Sequence, residues 1–421
     1  MAEPFPREGL PLAEARARVL AAITPLPEVE RLPLAACLGR VSAEPCHARE
    51  AVPGFRASIM DGYAIADASP PPTGAQWRLV GRSAPGAPWE GLLGPAEAIR
   101  ILTGAPLPEG GERVLPQELV AVVEVEAGAG PEPGSGLELR GEAGANPWIR
   151  SPEEEAAPGQ ELLKAGVRLG PADLGRLAGC GVAELVVHRQ PRVGLLISGD
   201  ELVPAGEERP PGAIWESNGT LLAALLERLG YAVAERRVVA DRPVELAAAL
   251  EALADRCDVV VSTGGVSAGD SDWIRPLLVE RGSVDFWKLF LKPGRPFAFG
   301  QLGGKPFFGL PGNPVAAAIT ALQLLWPALQ ALEGAEPELL PRLRVRLAAP
   351  LRRGAGRPEL ARARLRVGPA GELLAEVEGS QASSRIGSLQ GADLLLEIPA
   401  EFGALEAGTE LWAQLLRLPF L

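Results

Sequence analysis

The residues best suited to chemistry are two lysines in the segment 286–296, whose sequence is FWKLFLKPGRP. If this segment is extended, Lys288, Phe290 and Lys292 share one face of the strand. The chain carries a net charge of -12, so two ammonium groups on one face, close to Arg295, indicate a bound anion. The segment therefore predicts a phosphate or oxyanion site. The alternative is a pair of surface lysines on an edge strand.

A second anion-binding feature follows further along the chain. The sequence Leu-Pro-Gly-Asn-Pro at 310–314 precedes the apolar run 315–325, a pattern typical of a loop that leads into a helix. The first N–H groups of a helix have no partner within it and favour anions. The loop therefore supports the same prediction of an oxyanion site.

Acidic residues and glycines follow three predicted strands. Ser-Gly-Asp-Glu at 198–201 follows the first, Asp241 follows the second, and the run 263–272 with its two adjacent glycines follows the third. Glycines let backbone N–H groups approach a phosphate, and carboxylates can hold Mg²⁺ through water. Taken alone, Asp241 fits a helix cap equally well. The convergence of these groups at one edge of one sheet favours a binding site.

The elements that must position these residues form a β–α alternation between residues 192 and 330. Strands are predicted at 193–197, 232–239, 258–262 and 306–310, and helices at 220–229, 244–254, 273–280 and 315–332, the last with a kink at Pro327. This alternation predicts a parallel, doubly wound sheet. Its ligand site is expected at the carboxyl ends of the strands.

The rest of the chain has a different pattern. A helix is predicted at 12–23, short strands with turns between 51 and 146, a return to helix at 147–187, and a small β-barrel with strands at 342–347, 360–367, 373–377, 392–398 and 410–416. Two turn-rich loops, 53–64 and 100–110, place an acid or a hydroxyl beside glycine. They fit ligand-facing loops or ordinary turns.

Composition excludes several classes of protein. With 47% hydrophobic residues in 421, the chain is long enough for about three or four domains. Its net charge of -12 argues against broad binding to nucleic acid or to membrane surfaces. The four cysteines form no Cys-x-x-Cys pair. No signal segment is present, and no apolar stretch approaches the roughly 20 residues of a membrane span, so a soluble cytoplasmic protein is expected.

The sequence contains few residues for other kinds of catalysis. Its two histidines have ordinary neighbours, and it carries no Gly-x-Ser-x-Gly elbow and no Walker loop. The expected chemistry is therefore phosphate handling by a metal, lysines and backbone N–H groups, without a histidine base.

These residues together resemble the MoeA/gephyrin E-domain family, the molybdopterin molybdenumtransferases. The matching motifs run in family order over almost the whole chain, at 60–64, 102–105, 198–202, 264–267, 286–299 and 310–314. The resemblance implies a multidomain α/β fold with four domains. These are a discontinuous helical linker domain at 1–50 and 147–188, a β-rich domain at 51–146, a doubly wound MoaB/Mog-like α/β molybdopterin-binding domain at 189–334, and a C-terminal β-barrel domain at 335–421.

The resemblance also implies a reaction and the residues that carry it. The family inserts molybdate into adenylylated molybdopterin with release of AMP, and with Mg²⁺ as the expected metal. The catalytic residues carried over are Asp61, Thr103, Glu201, Asp241, Asp272, Lys288 and Lys292. The metal ligands among them are Glu201, Asp241 and Asp272. The substrate-binding residues carried over are Ser217, Asn218, Gly264, Gly265, Val266, Ser267, Arg295, Pro311, Gly312, Asn313 and Pro314.

The resemblance further implies a homodimer. The family's pocket lies between the α/β domain of one subunit and the β-rich domain of the other, so Asp61 and Thr103 would act in trans. A molybdopterin adenylyltransferase that hands over substrate is a further expected partner. Arg362, Ser383 and Ser384 also match family positions near the pocket.

One stretch departs from the family pattern. Where the family often has an Arg-Gly-Glu-Asp-like sequence, this chain reads Arg-Ser-Pro-Glu-Glu-Glu at 150–155. One of the three glutamates replaces the family acid, and the register leaves open which one.

Three other functions stay open on the sequence. The α/β unit is shared with molybdopterin adenylyltransferases, but those usually carry a Thr-Gly-like pair where this chain has Val266 and Ser267. Animal relatives also act as scaffolds, but a long linker and a second adenylyltransferase domain are absent here. A non-catalytic nucleotide-binding protein would show no molybdate-dependent release of AMP.

Overall fold

The computed structural model describes residues 8–123, 132–266, 273–377 and 379–416. The elements of its N-terminal part are, in chain order, α1 (Leu12–Ala21), β1 (Val29–Pro33), a 3₁₀ helix (Leu34–Ala36), β2 (Cys46–His47), β3 (Ala57–Ser58), β4 (Gly62–Ile65), β5 (Gln76–Ser83), β6 (Glu97–Ile101), β7 (Arg113–Pro116), a 3₁₀ helix (Gln117–Leu119), β8 (Val120–Val123), β9 (Gly136–Leu139), β10 (Ile149–Arg150), β11 (Glu161–Leu163), α2 (Pro171–Gly179) and β12 (Glu184–His188).

The predicted β-rich part is confirmed as a six-stranded sheet in the order β7-β4-β6-β5-β9-β8. Strands β5 and β9 alternate in burial, as at Trp77 and Leu79 of β5, whereas β4 and β7 are buried along their whole length. This alternation is what a half-buried sheet requires. The sheet carries the loop that holds Asp61 and, after β6, the loop that holds Thr103.

The predicted return to helix at 147–187 is wrong for most of that segment. It contains one helix, α2, and the strands β10, β11 and β12, which pair with β3, β2 and β1. Residues 184–188 (ELVVH) include two β-branched valines and alternate in burial, which suits a strand. Helix α1 packs elsewhere, because Ala15 and Val19 belong to the core of the α/β unit.

The α/β unit supplies the scaffold of the site. Its elements are β13 (Val193–Ser198), β14 (Leu202–Val203), β15 (Ile214–Trp215), α3 (Asn218–Arg228), β16 (Val233–Val239), α4 (Pro243–Arg256), β17 (Val259–Thr263), α5 (Ile274–Arg281), β18 (Gly282–Trp287), β19 (Ala298–Leu302), β20 (Lys305–Leu310), α6 (Pro314–Thr320), a π-helix (Ala321–Leu325) and α7 (Trp326–Leu332).

The doubly wound sheet is confirmed, with the strand order β16-β13-β17-β20-β19-β18. Its first four strands are parallel, and β13, with six buried residues, has the continuous apolar character of a strand covered on both faces. The four predicted strands are all parallel, and the sheet gains two further strands, β18 and β19, which are antiparallel and were not predicted. The adjacent Gly303 and Gly304, with φ of +56° and +76°, form the hairpin turn that reverses the chain into β20.

A long helix runs from Pro314 to Leu332 through a π-helical turn just before Pro327. Proline has no N–H to donate, which is consistent with the predicted irregularity at this point. Among the described residues this helix alone is long and apolar enough to cross a membrane, so the prediction that no stretch approaches that length is wrong. Because 94% of its apolar window is buried inside the protein, it has the character of a core helix.

The C-terminal part forms the predicted small barrel. Its elements are β21 (Arg342–Leu347), β22 (Glu359–Val367), β23 (Leu373–Glu376), α8 (Gly387–Gln390), β24 (Leu394–Ile398) and β25 (Glu410–Leu415), and the strands close in the order β21-β23-β22-β24-β25. The barrel contacts the α/β unit through backbone hydrogen bonds on both sides of Lys292. The N–H of Lys292 donates to the Pro358 oxygen at 2.9 Å, and the N–H of Leu360 donates to the Lys292 oxygen at 2.8 Å.

Candidate active site

A cavity of about 470 Å³ opens at the carboxyl ends of β13, β16, β17 and β20. Each strand end contributes to its lining, with Ser198 and Glu201 after β13, Asp241 after β16, Gly264 after β17 and Gly312 after β20. A doubly wound sheet binds its ligands at this edge. The cavity, called the strand-end cavity below, therefore lies where the strand pattern predicts a site.

Two glycines shape the floor of the strand-end cavity. Gly264 has φ of +92°, and a Cβ atom there would lie 2.4 Å from the carbonyl oxygen of Ser198. Gly312 packs against it, because a Cβ atom on Gly312 would lie 3.6 Å from the Gly264 Cα. The backbone at these positions is accessible to a ligand, as phosphate recognition by N–H groups requires.

Asn218 ties three elements together at the centre of the cavity. Its Nδ2 donates to Thr263 Oγ1 at 2.8 Å and to the Gly312 oxygen at 2.7 Å, and the Thr263 hydroxyl donates to the Pro311 oxygen at 3.0 Å. Within the described part of the chain, the buried Asn218 Oδ1 and Ser198 Oγ have no hydrogen-bond partner. Both residues line the strand-end cavity, and these two atoms keep hydrogen-bonding capacity that the described part of the protein leaves unused.

Three carboxylates face the strand-end cavity, but in different environments. Glu216 is buried, accepts the Gly219 N–H at 2.7 Å and pairs with Arg236. Glu201 and Asp241 come from different strand ends. The charge of Glu216 is thus balanced within the protein by Arg236.

Glu201 and Asp241 fit a hard cation, which takes oxygen ligands. Mg²⁺ commonly keeps several waters and binds through one or two carboxylates plus substrate phosphates, so two acids on one cavity suffice. The described residues include no cluster of three His, Cys, Asp or Glu side chains that could hold a metal. Asp272, the third predicted ligand, lies outside the described residues.

The two lysines do not share one extended face. Strand β18 ends at Trp287, and Lys288 has φ of +82°, which breaks the alternation. Neither Lys288 nor Lys292 lines the strand-end cavity. Both lie after the end of the edge strand β18, and Lys292 is held in a specific contact.

That contact joins Lys292 to the barrel. Its Nζ lies 3.0 Å from Glu359 Oε1, and Glu359 is buried while the Lys292 side chain is 47% exposed. The other oxygen of Glu359 accepts from Arg353 Nε at 3.2 Å. Lys292 therefore carries its charge at the junction of the barrel and the α/β unit, beside the segment that leads to Gly294 and Pro296 of the cavity lining.

The loop at 310–314 leads into helix α6, as predicted. Asn313 is the residue before the helix, and its side chain forms no cap hydrogen bond with the helix. Its Nδ2 instead donates to Ser383 Oγ at 3.0 Å, and the Val315 N–H donates to the Ser383 oxygen at 3.1 Å. A barrel loop thus occupies part of the helix N-terminus and adds Ser383 to the cavity lining.

Asp61 and Thr103 form a pair on the surface of the β-rich part. Asp61 Oδ1 accepts hydrogen bonds from the Thr103 backbone N–H and from the Thr103 hydroxyl, both at 2.7 Å. The backbone hydrogen bond, followed by the side-chain one, lowers the pKa of Asp61. Neither residue lines the strand-end cavity of the same chain.

Arg362 is buried beneath the loop that carries Ser383. Its Nε donates to Ser388 Oγ at 3.1 Å and its Nη2 to the Ala382 oxygen at 3.2 Å, and burial lowers the pKa of its guanidinium.

The stretch at 150–155 lies elsewhere on the molecule. Two of its glutamates are paired, Glu154 with Arg150 and Glu155 with Arg176.

The structure brings together most of the residues predicted to bind substrate. The strand-end cavity is lined by Ser217, Asn218, Gly264, Gly265, Val266, Pro311, Gly312, Asn313 and Pro314, together with Glu201 and Asp241. Predicted residues away from that lining are Asp61, Thr103, Lys288, Lys292 and Arg295. Ser267 and Asp272 lie outside the described residues.

Sequence reasoning missed the cavity rim formed by Ile214, Trp215 and Glu216. Ile214 and Trp215 are about half exposed, at 50% and 51%, yet both are large and apolar. An apolar pair between a Pro-Gly-rich loop and a helix start was the available signal. It was weak, because two residues establish no periodicity.

Comparison with known proteins agrees with this architecture. Three family models match the chain: "MoeA N-terminal region (domain I and II)" at residues 10–181, "Probable molybdopterin binding domain" at 194–331 and "MoeA C-terminal region (domain IV)" at 344–416. The chain is 32% identical to the molybdopterin molybdenumtransferase of Haemophilus influenzae, with 95% of this chain and 96% of that protein covered. It is also 32% identical to molybdopterin molybdenumtransferase 2 of Mycobacterium tuberculosis, with 90% and 93% covered.

A solved structure has the same overall fold. The molybdopterin biosynthesis MoeA protein of Pyrococcus horikoshii superposes with a TM-score of 0.78 at 25% identity, covering 97% of this chain and 100% of that one. The multidomain α/β fold with a C-terminal barrel is therefore confirmed. Identity and coverage of this extent show that the chain belongs to the MoeA family of molybdopterin molybdenumtransferases.

Proposed function

We propose that this protein is a molybdopterin molybdenumtransferase that inserts molybdate into adenylylated molybdopterin and releases AMP. The observation that carries the proposal is the strand-end cavity, which combines glycine backbone, two acids and buried polar atoms within the segment that matches a molybdopterin-binding family model. A substrate with a pyrophosphate and polar heterocycles requires these groups.

Each part of the cavity has a task in this proposal. The backbone of Gly264 and Gly312 lets the pyrophosphate approach closely. Glu201 and Asp241 would hold Mg²⁺, which supplies positive charge to the phosphates when bound. Lys292, two residues before Gly294 of the cavity lining, would contribute a cation for molybdate or phosphate. The dithiolene sulfurs of the substrate bind the molybdenum. Because molybdenum keeps its oxidation state, no redox residue is needed.

The proposal includes a homodimer in which Asp61 and Thr103 complete the site of the other subunit. Two observations support it: the pair is exposed, and it lies away from the lining of its own chain's cavity. The remaining expectations are a cytoplasmic enzyme that binds neither nucleic acid nor membranes. A molybdopterin adenylyltransferase that supplies the substrate is a further expected partner.

The test is molybdate-dependent release of AMP from adenylylated molybdopterin. Asp241→Ala should lower turnover strongly while the thermal unfolding transition is kept, because Asp241 does not belong to the apolar core. Lys292→Ala should also lower turnover, and its unfolding transition should be kept but shifted to lower temperature, because the buried Glu359 loses one of its two partners. Chelation of divalent metal should reduce turnover of the wild-type protein. The control is Glu280→Ala, which removes a 68% exposed carboxylate from helix α5 of the same unit.

Two outcomes would contradict the proposal. Loss of the thermal transition in Asp241→Ala or Lys292→Ala would show that these residues are structural. Consumption of ATP with free molybdopterin, without molybdate-dependent release of AMP, would instead indicate an adenylyltransferase.

A further inference from the structure

Trp215 is the large aromatic residue at the rim of the strand-end cavity. It lies on β15, it is 51% exposed, and it is preceded by the equally exposed Ile214. Both residues also line the strand-end cavity, so this exposed apolar surface faces a candidate ligand site. None of the sequence motifs assigned a role to this residue.

The indole ring is held in place although it is exposed. Its Nε1–H donates to the backbone carbonyl oxygen of Glu207 at 3.1 Å. The guanidinium carbon of Arg209 lies over the ring, 5.0 Å from its centroid. Arg209 is in turn fixed by a 3.0 Å hydrogen bond to the Ala213 oxygen. The loop between β14 and β15 thus fixes the ring by its edge and by one stacked cation.

The backbone around Trp215 is tied to the acidic part of the cavity. The Ile214 N–H donates to the backbone carbonyl oxygen of Glu201 at 2.8 Å, and the Glu216 N–H donates to the backbone carbonyl oxygen of Val203 at 2.8 Å. These hydrogen bonds fix the position of Trp215 relative to Glu201, the proposed metal ligand. Trp215 lines the same cavity as Gly264 and Gly312, and Arg209, which covers the ring from one side, does not belong to that lining.

We propose that Trp215 is a stacking platform for a bicyclic nitrogen heterocycle of the substrate. Aromatic rings stack flat heterocycles with little dependence on their identity, and a ring already held at its edge loses little freedom on binding. Two parts of the proposed substrate are flat nitrogen heterocycles that can stack on the ring, the adenine and the pterin. The choice of these ligands rests on the proposed function, whereas the platform itself rests on the geometry.

The chain offers a matched control in Trp412. This residue is 38% exposed, and two guanidinium groups lie over its ring, those of Arg342 at 4.6 Å and Arg344 at 4.4 Å. It does not line the strand-end cavity. Loss of Trp412 removes an exposed tryptophan with stacked cations without touching the proposed platform.

The experiment is calorimetric titration of the full chain with AMP and, separately, with pterin. In Trp215→Ala, affinity for one of the two should fall about tenfold, while Trp215→Phe, which keeps an aromatic face, should retain most of it. The ligand affected identifies the heterocycle that stacks. Trp412→Ala should bind both as the wild type does. In turnover, Trp215→Ala should raise KM more than it lowers kcat.

The results that would overturn the platform are distinct from those that would overturn the enzyme assignment. Wild-type affinity for both heterocycles in Trp215→Ala, in a protein that still releases AMP, removes the platform alone. A changed oligomeric state in Trp215→Ala with unchanged affinities shows that a second copy covers the ring. Failure of the wild-type protein to bind either heterocycle and to release AMP removes both proposals.

Discussion

Two cavities of nearly equal volume, about 470 and about 500 Å³, differ in almost everything else. The strand-end cavity is lined by loops with bare glycines, carboxylates and amides. The second, called the interdomain cavity here, lies where α1, the long helix of the α/β unit and the barrel meet. Its walls are mostly apolar, with six leucines, two prolines and Trp412 among the lining residues.

The polar groups of the two cavities differ in how they are used. In the interdomain cavity Arg16 Nη2 donates to Gln323 Oε1 at 2.9 Å, Gln323 Nε2 to Gln414 Oε1 at 2.6 Å and Gln414 Nε2 to Glu397 Oε1 at 2.9 Å. The protein thus uses these groups to join its own parts. In the strand-end cavity, polar atoms such as Asn218 Oδ1 have no partner among the described residues. The two cavities therefore differ in whether their polar atoms have partners within the protein, and not in their volume.

The largest effect is expected from Gly264→Ala in the strand-end cavity. The new Cβ would lie 2.4 Å from a backbone oxygen at a φ of +92°, so strain and overpacking add. We expect the free energy of unfolding to fall by about 3 kcal/mol and AMP binding to be lost. Chemical denaturation and calorimetric titration measure the two effects.

Gly206→Ala is the control for conformational strain alone. Gly206 has φ of +94°, but no atom lies within 4 Å of a Cβ placed there. The expected loss is about 1 kcal/mol, with AMP binding kept. Equal losses in the two variants would show that the close approach to Ser198 has no energetic consequence.

The next largest effect is expected at the interdomain cavity, in Arg353→Met. Glu359 is buried and is held by Arg353 and Lys292, so removal of Arg353 leaves a buried carboxylate with one exposed partner. We expect a loss of about 3 kcal/mol in the free energy of unfolding, measured by chemical denaturation.

Arg346→Met removes an arginine whose partner is exposed, and it serves as the control. Its pair with Glu410 has both side chains more than half exposed, and such pairs contribute little to stability. An equally small loss in Arg353→Met would mean that burial of Glu359 does not depend on its pairing.

The part of the site that follows from sequence is the part built by strand ends. Apolar runs such as 193–197 and 258–262 fix where parallel strands stop, and the residues after them, among them Glu201, Asp241 and Gly264, must then meet at one edge. Periodicity and turn residues are local signals, so these predictions needed no knowledge of distant contacts.

The parts that sequence reasoning missed depend on distant contacts or on single residues. The lysine segment was expected to be extended, but Lys288 takes a positive φ where its backbone binds Leu10 and Phe297. Lys292 pairs with Glu359, which lies 67 residues further along the chain. Trp215 carried no pattern at all, because one aromatic residue in a loop region has no period.

A smaller effect is expected from Asn313→Ala, which tests how the barrel joins the strand-end cavity. The variant removes the hydrogen bond from Asn313 Nδ2 to Ser383 Oγ, with an expected loss of about 1 kcal/mol. Ser383→Ala should lose a similar amount, and the double variant should lose little more. Chemical denaturation of the three variants measures the coupling, and fully additive losses would contradict it.

The smallest effect is expected from Thr103→Val, which tests the surface pair outside both cavities. The Thr103 backbone N–H remains, but the hydroxyl that also lowers the pKa of Asp61 is lost, so that pKa should rise towards its usual range. Because the pKa of Asp61 is lowered in the folded state, Asp61 contributes stability above its unfolded pKa, and this contribution is lost as pH falls through the folded pKa. In Thr103→Val the folded pKa is higher, so the loss of stability should begin at a higher pH. The fall in AMP release on the acid side of the pH profile should also begin at a higher pH. Carboxyl NMR titration measures the shift. Thr103→Ser keeps the hydroxyl and should titrate as the wild type does, whereas identical curves for the valine and serine variants would show that the hydroxyl does not stabilise the anion.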